Sequence, residues 1–428
     1  MNRTKEIWMS GFALFSMFFG AGNLILPPLL GFKALDQWFI VATGFAITAV
    51  IIPIMAIYAH ARLQGTLYDF GKKVSPIFSV VYCVLIYSIA IALPAPRTAS
   101  VTHEMAIAPF FETPTLLTST IYFALVLVFV LNRSRVLSIL GKFLTPLIVI
   151  ILLLIISIGI TSDVPSIASG ISEAPLVNGI LEGYQTFDAI GGVVVGAVLI
   201  ISLNLRGHNT FQDKKELIIK SGLIAGSGLF IIYAGLIVVG ALYGSSFSAD
   251  IDRTALLSGL SLQTLGSIGT TFLSVLVALA CFTTAVGIIT GTADYFKGLF
   301  KESQLAYVIT AVLGSVIGVV VGSYNVGFII DIALPALMFI YPITIVLIIL
   351  NICPEKWTSG LVFKAVVITT FVFSIPDFLK FIVNPQKLKP IIDILPMANY
   401  SLGWVLPALG AFVLTNVLQK DATGHSGS

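Results

Sequence analysis

Apolar runs of about twenty residues recur along the whole chain, the length a helix needs to cross the hydrocarbon core of a bilayer. Twelve can be read, at 7–31, 38–59, 76–96, 116–132, 139–160, 179–203, 217–243, 270–296, 305–321, 328–350, 361–383 and 394–418. They are continuous rather than alternating, which disfavours a membrane β-barrel built from segments of about ten residues with period two. Of the 428 residues 57% are hydrophobic and 10% charged, whereas a soluble domain carries about 25% charged residues to cover its outside. The predicted fold class is therefore an all-α polytopic membrane protein whose surround is the lipid bilayer.

A single transmembrane domain is predicted over 1–420, followed by a disordered polar tail over 421–428. The first run continues through Pro28 with no small-x-small cleavage site, so it reads as a membrane helix and not as a signal peptide. The third run extends through Ala108 if Arg97, His103 and Glu104 form a polar outer end. His103 is read as a solvated residue of that end. Arg97 is open between an outer-surface and a cavity position, the latter if the helix bends at Pro94 and Pro96.

Charge placement gives the expected orientation. With the N-terminus inside, only Lys33, Arg97, Arg253, Lys380, Lys387 and Lys389 of the 23 Lys and Arg fall on the outer side, leaving 17 inside. That excess on one side predicts twelve spans with both ends cytoplasmic. The net charge of +3 and the lack of a basic run with interleaved aromatics exclude nucleic acid as the expected partner. Cys83, Cys281 and Cys353 lie within or at the ends of apolar runs and read as small buried hydrophobes, with no disulfide framework or metal cluster.

Polar residues and helix breakers inside spans are the informative exceptions, because backbone that leaves the helix at membrane depth must line a cavity or be buried in protein. The first span holds Gly20-Ala21-Gly22-Asn23 followed by Pro27-Pro28. Gly costs about 1 kcal/mol and Pro about 3 kcal/mol relative to Ala inside a helix, so a break is predicted there. Free N–H groups at the start of the second half-helix would attract a carboxylate, and free carbonyls at the end of the first would take a cation. Close helix packing through the glycines is the alternative, but it does not account for Asn23 or the prolines. The sixth span holds Gln185, Thr186, Phe187 and Asp188 before Gly191-Gly192. An acid in a span is a functional hypothesis by default, unless 182–188 form an outer loop. In the eighth span Ala280-Cys281-Phe282-Thr283-Thr284 carries two adjacent hydroxyls. They either bond back to the preceding turn or complete an oxygen cage for a hard monovalent cation such as Na⁺. Spans one and six each open a set of five, the spacing of an inverted repeat with a midplane site. The two sets are 7–160 and 179–350, with 361–418 as two added helices.

The run Phe19-Gly20-Ala21-Gly22-Asn23-Leu24-Ile25-Leu26-Pro27-Pro28, together with Pro94-Ala95-Pro96-Arg97-Thr98-Ala99 and Glu104, resembles the bacterial branched-chain amino acid carrier family. The likeness covers the whole chain in length, span count and motif order. It implies a cation-coupled symporter of leucine, isoleucine and valine in a bacterial cell membrane. It also implies the five-plus-five inverted-repeat fold of the sodium-coupled leucine transporters. In that wider fold the amides matching Ala21 and Gly22 face the substrate carboxylate. The resemblance puts Asn23 and Thr186 at one Na⁺ site, and Ser16, Phe19, Ala280, Thr283 and Thr284 at a second. No helix-seven ligand is found for the first, which favours one bound Na⁺. Gln185, Phe187, Asp188 and Phe282 are the expected substrate residues, with Phe187 and Phe282 lining an apolar pocket and Asp188 taking the ammonium or a proton.

Alternating access is the expected mechanism. Proton coupling through Asp188 or Asp331 is the competing transporter reading. A membrane enzyme would show clustered ligands or a nucleophile motif such as H-E-x-x-H or G-x-S-x-G. A channel would show a filter-like carbonyl motif or a ring of charge. Neither pattern occurs in the chain, and its four histidines are scattered.

Overall fold

The computed structural model describes residues 3–20, 23–132, 136–162, 167, 169–170, 173–205, 207–208 and 210–424, and among them every regular element is helical. The first span is α1 (Arg3–Phe18) with α2 (Leu26–Ala34), and the second is α3 (Trp38–Ala46) with α4 (Ile52–Leu63), joined by a π-helical turn. After the short α5 (Leu67–Gly71), the third span is α6 (Pro76–Ala92) with α7 (Pro94–Thr102), which runs on as a π-helical turn to Ile107. The fourth and fifth spans are α8 (Thr115–Asn132) and α9 (Val136–Thr161). The sixth is α10 (Pro175–Tyr184) with α11 (Asp188–Leu205), and the seventh is α12 (Phe211–Leu242). Then follow α13 (Arg253–Leu299), α14 (Gln304–Gly322), α15 (Val326–Ile352) and α16 (Gly360–Leu379). A short α17 (Pro385–Ile394) leads to α18 (Val405–Gly424), the twelfth span.

Among the described residues, nine helices are by themselves long and apolar enough to cross a bilayer. The first, sixth and twelfth spans are not among those nine. Two are broken, and the apolar part of the last runs only over Val405–Lys420. Ile77, Ile268, Leu305 and Leu418 stand 67–78% exposed on the outside of the bundle, the surface that lipid covers.

Four sequence expectations need correction. The twelfth span begins at Val405 rather than near 394, because Met397 and Ser401 both take left-handed backbone angles after Pro396. Its helix also continues through 421–424, where a disordered tail was expected, and 425–428 lie outside the described residues. The eighth span is preceded by a helix that apolar runs do not reveal: α13 starts at Arg253 and is interrupted at Gly266 (φ 70°, ψ −173°). Only glycine adopts that conformation readily. His103 is buried instead of solvated, its Nδ1 standing 2.9 Å from the Thr118 hydroxyl.

The first span of each five-helix set packs on the second span of the other. α1 and α2 lie on α12, while α10 and α11 lie on α3 and α4. Likewise α9 packs on α12 as α4 packs on α15. This exchange of partners is the pattern an inverted repeat produces. Glycines permit the two tightest crossings. A Cβ on Gly31 would stand 1.8 Å from the Ile237 carbonyl oxygen, and one on Gly240 2.0 Å from that of Pro28. At the matching crossing, a Cβ on Gly44 or Gly179 would stand 2.1 Å from the carbonyl oxygen of Leu176 or Val41. Small residues of this kind let helix backbones touch where lipid provides no hydrophobic drive.

Candidate functional site

Both predicted breaks are present. The last helical bond of α1 runs from the Phe19 amide to the Phe15 carbonyl, and turn bonds from Gly20 to Phe18 and from Asn23 to Gly20 follow. The helix resumes at Leu26 with Pro27 and Pro28 in its first turn, where proline's missing N–H has no helical partner to lose. Ala21 and Gly22, the expected carboxylate-facing amides, lie outside the described residues. In the sixth span the chain leaves the helix at Gln185, and Phe187 takes a left-handed φ of 61°. A side-chain-bearing residue held there costs about 1–3 kcal/mol, a pattern common at ligand clamps. The Thr186 hydroxyl donates to the Gly183 carbonyl (2.8 Å) and accepts from the Asp188 amide (3.1 Å), closing one helix and starting the next. Asp188 is thus the first residue of α11, where the helix dipole favours a carboxylate. The sequence alternative of a loop through 188 is not what forms.

The two breaks meet. Asn23 Nδ2 donates to Asp188 Oδ1 at 2.8 Å, and Asn23 Oδ1 accepts from Arg97 Nη2 at 3.3 Å. Arg97 Nη1 donates to the Gln185 carbonyl at 2.7 Å, and the guanidinium stands 5.4 Å from the centre of the Phe187 ring. Asn23, Arg97, Gln185, Thr186 and Asp188 are each no more than 5% exposed. A cation and an acid are therefore held in one dry junction, with the Asn23 amide between them. Arg97 reaches it because α6 ends at Leu93 and α7 restarts at Pro94, so the open question about Arg97 resolves to the cavity position.

Two tyrosines at this junction were not picked out by the sequence. Tyr233 of α12 donates to Asp188 Oδ2 at 3.5 Å, and Tyr341 of α15 accepts from the Ala189 amide at 3.4 Å while stacking on Tyr184. Their only signal was a hydroxyl in an apolar run, which core tyrosines share.

The remaining candidates are spread along the bundle. The Ser16 hydroxyl pairs with that of Thr145 on α9 at 2.9 Å. Phe19 is buried and stacks on Phe15. The hydroxyls of Thr283 and Thr284 both donate to the Ala280 carbonyl, at 2.9 and 2.8 Å. Phe282 packs edge-on against Tyr122 and Phe129 of α8, so it does not join Phe187 in a shared pocket. Asp331 is exposed on α15 and lines neither of the cavities described here.

A vestibule of about 550 Å³ opens at the end of the bundle that carries the α2–α3 connection. Lys33, Asn178, Glu182, Met338 and Phe381 line it, and Gln185 forms part of its floor. Glu182 accepts from Gln185 Nε2 (3.2 Å) and is paired with Arg253 at the start of α13. Glu104 ties the same helix to α15, accepting from the Thr254 hydroxyl (2.5 Å) and the Val326 amide (2.8 Å). Gln185 thus joins the vestibule to the junction, and Glu182 in the vestibule wall holds the start of α13.

Comparison with known proteins bears on the family and the fold. Residues 3–422 match the family described as branched-chain amino acid transport protein. The chain is 33% identical to the branched-chain amino acid transport system 2 carrier protein of Pseudomonas aeruginosa, covering 96% of this chain and 95% of that one. It is 32% identical to the branched-chain amino acid permease BraB of Bacillus subtilis, covering 97% and 95%. In structure it resembles a Na⁺-coupled sialic acid symporter in a substrate-bound outward-open state, with TM-score 0.59, 13% identity and coverage of 96% and 89%. It resembles the inward-facing transporter Mhp1 with TM-score 0.60, 11% identity and coverage of 97% and 91%. The fold is that of the leucine-transporter class, and the protein is a multi-pass membrane carrier rather than an enzyme. With a match along nearly its whole length, this chain belongs to the branched-chain amino acid transport protein family.

Proposed function

We propose that this protein is a sodium-coupled symporter that imports leucine, isoleucine and valine by alternating access across a bacterial inner membrane, with both termini cytoplasmic. The observation that carries the reading is the meeting of two broken helices around the buried Asn23–Asp188 pair. In that orientation the vestibule faces outward. The substrate sits at the junction beside Gln185, Phe187 and Asp188. Sodium binds in an oxygen set drawn from the carbonyls of Ser16 and Phe19 in the first span and, on α13, the Ala280 carbonyl and the hydroxyls of Thr283 and Thr284. Oxygen donors of this type suit a hard cation, and the two hydroxyls must turn off the Ala280 carbonyl to serve one. The five-helix sets then rock against each other as inverted repeats. Coupling is the difference in affinity of ion and substrate between the outward and inward states.

Proton coupling is the second reading, favoured by a carboxylate as deeply buried as Asp188. Uptake of labelled leucine into proteoliposomes separates the two. An inward sodium gradient at constant pH should drive accumulation, and a pH gradient without sodium should not. The reverse result transfers coupling to Asp188, and no uptake of leucine, isoleucine or valine under either gradient rejects the substrate assignment.

A further inference from the structure

We propose that Arg97 is the carboxylate clamp of the transported amino acid, and that α15 forms the wall selecting its side chain. This rests on the branched-chain reading above and names the groups that would recognise the substrate. Arg97 sits in the third span at 4% exposure. Two of its nitrogens are used, by the Gln185 main-chain carbonyl and by Asn23 Oδ1, and its Nε is buried with no partner. Among the described residues no carboxylate lies within the 4.0 Å of an ion pair. Asn23 stands between Arg97 and Asp188, the acid on the other side of it. A desolvated cation with no carboxylate in direct contact is costly and, in a membrane span, marks a ligand pathway.

A narrow crevice adjoins the guanidinium, closed to the size of a water molecule in this conformation, so that substrate enters it only as the helices part. Phe187 lines it together with Ile329, Ile330, Ala333 and Leu337, whose spacing of one, four and eight residues from Ile329 places them on one face of α15. Among the described residues its polar wall is Arg97 and Gln185, and Gln185 Oε1 is a second buried atom without a partner. Gln185 also lines the vestibule, so one residue borders both the vestibule and the crevice. A guanidinium with no carboxylate in direct contact, a free amide oxygen and an aliphatic wall together match the chemistry of a zwitterion with a branched apolar side chain, once the crevice widens. The carboxylate goes on the Arg97 fork, the ammonium on Gln185 Oε1 and the side chain against Ala333. Because Arg97 also holds both breaks, taking up a carboxylate would redistribute its bonds to Asn23 and Gln185, which links occupancy to the hinge of both broken helices.

Binding of tritiated leucine to the purified protein in nanodiscs tests this, with leucinamide as the competitor that lacks the carboxylate. Wild type should bind leucinamide about 10- to 100-fold more weakly than leucine, the loss of one charge-assisted contact. Arg97→Gln should weaken leucine by a similar factor and abolish the preference over leucinamide. Arg97→Lys, which keeps the charge without the fork, should fall between. Ala333→Leu leaves the clamp intact and should move preference from leucine towards valine by roughly tenfold. Equal competition by leucine and leucinamide on wild type overturns the clamp even if Arg97→Gln does not fold, as does leucine affinity in a folded Arg97→Gln within about threefold of wild type. An unchanged leucine-to-valine ratio in Ala333→Leu overturns the wall. Wild type that binds none of the three branched-chain amino acids rejects the underlying reading instead.

Discussion

Asn23 and Asp188 lie 165 residues apart in the chain, and the amide of the first donates to the carboxylate of the second at 2.8 Å. Asn23 lies in the break of the first span and Asp188 opens the second half of the sixth, so one short bond ties the two broken spans together. Replacing Asp188 by Ala leaves a buried amide donor without its acceptor, at about 1–3 kcal/mol. Labelled leucine uptake should fall by at least tenfold, while Asp188→Asn, which keeps an acceptor oxygen, should retain more transport than Asp188→Ala. Equal activity of the two variants would show that the carbonyl oxygen of residue 188 is not what Asn23 needs.

Thr283 and Thr284 share one acceptor, the Ala280 carbonyl. If their hydroxyls turn to an ion during transport, Thr283→Ala should raise the sodium concentration for half-maximal leucine uptake by about tenfold, the scale of losing one polar contact of roughly 1–1.5 kcal/mol. Expression and melting temperature should hold. A sodium titration of uptake that superimposes on wild type removes Thr283 from the ion site.

The α2–α12 crossing has no room for a methyl group. Gly31→Ala would press its Cβ into the Ile237 backbone at 1.8 Å and should cost about 1–3 kcal/mol or more, as overpacking does. Gly410 in α18 has nothing within 4 Å of such an added atom. Gly410→Ala should therefore be neutral or gain up to about 1 kcal/mol from helix propensity. Thermal unfolding of the two detergent-solubilised variants, followed by size-exclusion fluorescence, should separate them in opposite directions.

Glu182 joins the vestibule to the start of α13 through Arg253. Arg253→Ala should loosen that rim without touching the junction. With Asn178→Cys as reporter in the vestibule wall, thiol labelling in the presence of leucine should be faster in the Arg253→Ala background. Identical labelling rates would mean that the pair does not hold the vestibule rim closed.

What the chain states locally proved legible. Long apolar runs announce membrane helices because lipid leaves a helix as the only way to satisfy each backbone group. The glycines and prolines at 20–28 announce a break because they act on the backbone within one turn. The helix 253–265 was hidden for the opposite reason: it carries no membrane-length apolar run, and its end depends on one glycine angle at Gly266. The site divided along the same line. Asn23, Gln185, Thr186, Phe187 and Asp188 could be picked out as polar or helix-breaking exceptions inside spans, and they do lie together. Whether Arg97 faced water or cavity, that Tyr233 and Tyr341 reach the second break, and that Phe282 turns to α8 instead, were settled only when helices distant in sequence packed. A residue's type follows from the sequence at that position, but its neighbours across a bundle follow from how whole spans cross, and here those crossings are set by contacts such as Gly31 on Ile237 and Gly179 on Val41.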